Sequence, residues 1–191
     1  SVAGLRCASL GFSNERLVQA AAAQMRKLPF YHAFTAKSHE PVIDLAEMLI
    51  QRAPVPMSKV FFANSGSEAN DTAIKMVWYF NNAVGRPNKK KLIGRVKGYH
   101  GITLAAASLT VLAANHRSFD VPLDRFLHTM APHYYHGAEA GESEEQFSTR
   151  CADELEKLIL AEGPDTVAAI RAEPVMGAGG VIVPPRGYYE K

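Results

Sequence analysis

From residue 59 onward, short apolar runs alternate with longer stretches of helical periodicity, and this alternation limits the possible folds more than any other feature of the chain. Residues 60–63 read as a strand and 68–82 as a helix. Residues 91–96 read as a strand, 102–110 as helical or turn-like, and 127–131 as a short strand. Residues 142–161 read as a long helix with Phe147, Cys151, Leu155, Leu158 and Ile159 on one face, and 166–172 as a strand. Strand and helix in strict turn predict an α/β fold with a mainly parallel sheet flanked by helices. Residues 1–58 have a different texture, helical and aromatic. Ser13 is expected to cap a helix over 13–27 with Leu17, Ala20, Ala21, Gln24 and Leu28 in one stripe, and Pro41 to start a second helix ending near Arg52. The expected division is 1–58 as an N-terminal segment and 59–191 as the first part of a large domain.

Bulk properties exclude several classes of function. Hydrophobic residues make up 47% and charged residues 21% of the 191, which is globular and not disordered. A net charge of +2 is too mild for a nucleic-acid partner, and Lys89, Lys90 and Lys91 follow a turn and read as a solvated loop. The two cysteines, Cys7 and Cys151, stand far apart without metal-ligand spacing, which fits a reducing compartment and no structural metal. No apolar stretch approaches a membrane span and the first residues lack a signal pattern, so a cytoplasmic location is expected.

Three stretches carry the chemistry. In Asn64-Ser65-Gly66-Ser67-Glu68, Ser65 and Glu68 match a capping box. The box leaves Gly66 and Ser67 unexplained. A glycine at a helix start lets a ligand approach the backbone, and the free amides there favour an anion such as phosphate. Neither GxxxxGKS nor GxGxxG is present, so a single phosphate monoester on a small cofactor suits the site better than a nucleotide. Gly98-Tyr99-His100-Gly101 follows a strand; Tyr99 could stack on a planar ring and His100 orient it, or the pair could simply pack. In the third stretch, 172–180, a strand delivers Glu173 into a glycine-rich loop, either facing a cofactor or substrate cation or simply exposed before a turn. All three follow strands, so a parallel sheet would bring them to one edge.

Taken in order, 64–71, 85–91, 99–103, 132–135 and 172–189 resemble the class III pyridoxal-phosphate-dependent aminotransferases, in particular the ω-amino acid and amine:pyruvate branch. The resemblance implies part of the large domain of a fold-type-I enzyme, its sheet incomplete within this chain. It implies a homodimer with shared active sites, acting on an amine donor and a keto acid acceptor, without nucleic-acid or membrane partners. It implies pyridoxal 5′-phosphate as cofactor, with Ser65, Gly66, Ser67, Tyr99, His100 and Glu173 around it. Gly66 and Ser67 would hold the phosphate, Tyr99 and His100 the ring, and Glu173 the side of the ring hydroxyl. Arg6, Tyr31 and Phe34 would line the substrate pocket.

The match has gaps. The resemblance places the Asp that pairs with the pyridine nitrogen, and the Schiff-base Lys, beyond Lys191, so no catalytic residue is expected within these 191 and the chain is expected to be a piece of a longer protein. Alternatives are a truncated relative that only binds a phosphate ligand or dimerises, or a decarboxylase or aminomutase of the same family. Arg6 stands where the branch has an aromatic, and Val111 where glycine is common. Arg171 interrupts an apolar strand; an unpaired buried guanidinium is costly, so it must be exposed, paired or functional.

Overall fold

The computed structural model describes residue 4 and residues 7–191. Arg6 lies outside the described residues. Two compact units are present, Ser1–Phe61 and Phe62–Lys191.

The first unit holds two helices, α1 (Glu15–Lys27) and α2 (Glu40–Arg52). The cap of α1 is Asn14 rather than Ser13: its side chain accepts from the Leu17 amide at 3.4 Å, while Ser13 sits at φ +57. An Asx side chain reaches the third amide of a helix from the extended conformation that Asn14 has, and Ser13 does not share it. Pro41 lies in the first turn of α2, where its missing amide removes no hydrogen bond. Lys27 donates to Glu40. Neither helix buries a residue; Leu17, Met25, Ile43 and Met48 of their apolar stripes are at least half exposed.

The second unit runs α3 (Gly66–Ala83), β1 (Lys91–Arg95), α4 (Leu104–Leu109), α5 (Ala113–His116), β2 (Phe126–Thr129), α6 (Tyr134–Gly137), α7 (Glu144–Glu162) and β3 (Val167–Ile170). Its three strands are parallel in the order β2-β1-β3. The α/β reading is therefore correct. The strand expected at 60–63 does not form. An apolar run becomes a strand only with a neighbour to pair, and 60–63 pairs with none of the three. The short helices α5 and α6 are too brief to announce themselves by periodicity.

β1 lies between two neighbours and between two helical layers, so Leu92 to Arg95 are all buried. On one face, Leu92 packs with Ile74 of α3, Leu109 of α4 and Phe126 of β2, with Trp78, Ala105 and Ala169 at the margin. Trp78 donates its indole N–H to the Lys90 carbonyl at 2.9 Å and so pins α3 to the start of β1. The capping box of α7 is complete, with Ser143 and Gln146 each accepting from the other's backbone, and Phe147 and Cys151 of this helix are buried. β3 is an edge: Ile170 is half exposed, and a groove of about 600 Å³ between α7 and β3 is lined by Cys151, Leu155, Ile159, Ile170 and Tyr188. Among the described residues no helix is long and apolar enough to cross a membrane, and no three His, Cys, Asp or Glu side chains cluster as metal ligands.

Candidate functional site

The right-handed crossovers of a parallel sheet leave the ends of all strands on one side, so the segments following β1 and β3 meet there. The first of these, 98–102, is fixed to α3. The Ser67 hydroxyl accepts from the Ile102 amide at 3.0 Å, and Asn70 donates to the His100 carbonyl. Gly101 has φ +130, and a Cβ there would stand 2.5 Å from Ser67 Oγ and 2.9 Å from the Ser67 Cα. Only a glycine allows this approach. Next to Asn70 in α3, Asp71 accepts from the Thr103 hydroxyl at 2.8 Å and the Ala106 amide at 3.1 Å, which anchors the start of α4.

At the head of α3 the cap differs from the expected box. Ser65 accepts from the Glu68 amide at 3.2 Å, but Glu68 reaches back to the amide of Asn64, at 2.8 Å, and not to that of Ser65. The Gly66 and Ser67 amides occupy the first two helical positions, which have no intrahelical acceptor. No hydrogen bond from either amide occurs among the described residues, and nothing lies within 4 Å of where a Gly66 Cβ would be. The positive end of an 18-residue helix thus presents two free donors to open space beside the Tyr99–Ile102 turn.

Tyr99 is 38% exposed, while His100 beside it is buried. The His100 amide donates to the Thr110 hydroxyl at 2.8 Å, and its ring Nε2 has no partner. Burial holds the imidazole down at about 4; the Glu173 carboxylate pulls upward, but not enough to offset it. The ring is therefore neutral at physiological pH.

Glu173 leaves β3 and turns both carboxylate oxygens toward backbone. Oε1 accepts from the Tyr99 amide at 2.9 Å and Oε2 from the Gly177 amide at 3.1 Å. The two loops also touch directly, since a Cβ on Gly179 would run into the Lys97 carbonyl. Val111 bonds in both directions to the 97–98 turn, accepting from Lys97 at 3.0 Å and donating to Gly98 at 2.8 Å. Arg171 is exposed just past β3, with its amide donating to Ile93 at 2.8 Å.

Ser67, Tyr99, His100 and Glu173 thus belong to one hydrogen-bonded junction, and Ser65 and Gly66 stand at the adjoining end of α3. Tyr31 and Phe34 belong to the first unit, both exposed, with Tyr31 stacked on His32 at 4.8 Å. Sequence reasoning missed Asn70, Asp71, Thr110, Arg95 and Tyr189. Two adjacent polar residues, Asn70 and Asp71, inside an otherwise amphipathic helix were the available signal.

A free pair of helix-terminal amides, a glycine cradle and a half-exposed tyrosine ring suit a flat ligand carrying one phosphate. The class III aminotransferase family profile matches residues 1–191. A probable gamma-aminobutyrate transaminase 2, mitochondrial, of Oryza sativa subsp. indica is 58% identical over 192 residues, covering all of this chain and 39% of that protein. The gamma aminobutyrate transaminase 1, mitochondrial, of Solanum lycopersicum is 57% identical, again over the whole chain and 37% of that protein. Among solved structures, the omega transaminase from Pseudomonas jessenii in complex with PMP superposes with a TM-score of 0.97 at 67% identity, covering 99% of this chain and 42% of that one. The chain thus spans about two fifths of the length of the proteins it matches. An α/β unit with the site at its strand ends, and a family match running from the first residue to the last, lead to one assignment: this chain belongs to the class III aminotransferases.

Proposed function

We propose that the protein carrying this chain moves an amino group from an amine or ω-amino acid to a keto acid such as pyruvate, with pyridoxal 5′-phosphate as cofactor, and that it works as a homodimer. The observation that carries this reading is the pair of free amides on Gly66 and Ser67 beside the Tyr99–Ile102 turn. When bound, the cofactor supplies an electrophilic carbonyl and a cationic ring that draws electrons from the substrate. The chain's own residues bind and orient. The Gly66 and Ser67 amides donate to the phosphate, and the Ser67 hydroxyl, which accepts from Ile102, keeps its own proton to donate as well. Tyr99, partly exposed, would offer its aromatic ring as a flat apolar surface to the cofactor ring. His100, buried and neutral, would add no charge to the site. The exposed apolar stripes of α1 and α2 support a second copy as their cover.

Replacing Gly66 with proline tests the phosphate assignment. Gly66 is the first helical residue, where proline fits, and Ser65 before it is already extended at φ −151, ψ 160. The helix therefore survives and one donor is lost. Affinity for pyridoxal 5′-phosphate is expected to fall about tenfold to a hundredfold, measured by absorbance titration, while affinity for unphosphorylated pyridoxal is unchanged. Equal losses for both ligands, or none for either, would show that the phosphate sits elsewhere.

A further inference from the structure

Arg95 is the largest of the fully buried side chains, 1% exposed at the C-terminal end of the central strand. Side chains alternate along a strand, so Arg95 shares its face with Ile93, which is itself fully buried. An apolar side chain would serve that position better as packing. A buried guanidinium instead carries a desolvation cost that only good partners offset. None of the ion pairs among the described residues includes Arg95. Its partners are the Tyr189 hydroxyl at 3.1 Å, the Glu173 carbonyl and the face of Tyr188, 5.7 Å to the ring centroid. Tyr189 in turn donates to the same Glu173 carbonyl at 2.6 Å.

Glu173 is therefore gripped from behind at its carbonyl, while in front its carboxylate holds the Tyr99 and Gly177 amides. We propose that Arg95 is a positioning residue of the candidate site, setting through Glu173 where the Tyr99 ring and the 177–180 turn stand. That inference rests on the cofactor reading above only for the purpose of the positioning. Glu173 on this view acts on the site through backbone amides, as a clasp between two loops. What an apolar residue at position 95 could not supply is a rigid fork of donors that reaches the Glu173 carbonyl and the Tyr189 hydroxyl together.

Amide hydrogen exchange on the whole protein tests this without relying on any activity. In Arg95→Met the Tyr99 and Gly177 amides are expected to exchange about tenfold faster or more, relative to the Leu92 amide, which donates to Arg125 within the sheet. Arg95→Lys keeps one donor and is expected to restore part of the protection. Tyr189→Phe, which removes only a hydroxyl, is expected to give a smaller change at the same two amides. With pyridoxal 5′-phosphate bound, the visible circular dichroism of Arg95→Met is expected to lose half its amplitude or more, and Arg95→Met/Glu173→Gln to look like Glu173→Gln alone. Uniform acceleration of all amides, or unchanged protection at Tyr99, overturns the proposal. If Arg95→Met does not fold, Tyr189→Phe decides by the same two amides. Absence of any cofactor band in the unmutated protein refutes the cofactor reading instead, and leaves the exchange result to judge Arg95.

Discussion

Gly101→Ala probes the junction between α3 and the Tyr99 loop most directly. Gly101 lies at φ +130, which L-residues rarely adopt, and its added Cβ would meet Ser67 Oγ at 2.5 Å, with Ala106 Cβ and Ser67 Cα at 2.9 Å. The conformational part costs about 1–2 kcal/mol. Two of the three obstructing atoms are a backbone carbon and the stub of a buried alanine, which cannot swing aside, so overpacking adds about 1–3 kcal/mol. Gly141→Ala supplies the control, because Gly141 is also at positive φ, +82, yet has nothing within 4 Å. The control should lose only the conformational part. The melting shift per kcal/mol shrinks as a protein lengthens, so the two variants are compared by ratio: Gly101→Ala should lower the melting temperature about two to three times as far as Gly141→Ala. Differential scanning calorimetry reads both. Equal losses in the two variants would refute the claim that the loop is pressed onto Ser67.

Two other predictions concern charge and assembly. The His100 imidazole takes up its proton near 6.5 when unfolded but only at about 4 when buried. The unfolded state therefore binds more protons between those values, and stability, whole above pH 6.5, should fall as the pH drops toward 4. The loss between pH 7 and pH 5 is about 2 kcal/mol at most; denaturant titrations at those two values should show it, and His100→Asn should flatten the dependence. Sedimentation velocity should find twice the chain mass for the protein, and Ile43→Glu in the exposed stripe of α2 should shift it toward the single-chain value; a monomer in both cases would contradict the dimer.

The sequence made some of this visible because the physics involved is local. The run of Leu92 and Ile93 into a glycine-bounded turn is a signature of a central strand, and the structure keeps it. Ser65 was legible as a cap because capping spans only four residues. By contrast, residues 60–63 look like a strand in isolation, and whether they become one depends on a pairing partner far along the chain. Arg95 was invisible for a similar reason. Its place next to Glu173 and Tyr189 is set by β1–β3 pairing and a return of the chain at 188–189, and no local pattern encodes a contact over 94 residues. Arg171, conspicuous in sequence, lies just past the strand and needs no buried partner.

The strand order also dictates when the site can come into existence as the chain folds. β1 pairs with β2 at Leu92↔Phe126 but with β3 only at Lys91↔Val167, a much wider separation along the chain. Closing the longer loop costs about 0.7 kcal/mol more in chain entropy than closing the shorter one. The β1–β2 pair can therefore assemble with α4 before β3 arrives, and the Tyr99 loop then rests on α3 through Ser67 and Asn70 and on the end of α4 through Thr110, without Glu173. Only β3 brings Glu173 to the Tyr99 amide. Competence to hold a ligand in place is thus expected to come late in folding, and substitutions in β3 should act more on the rate at which that competence appears than on the formation of the first two strands.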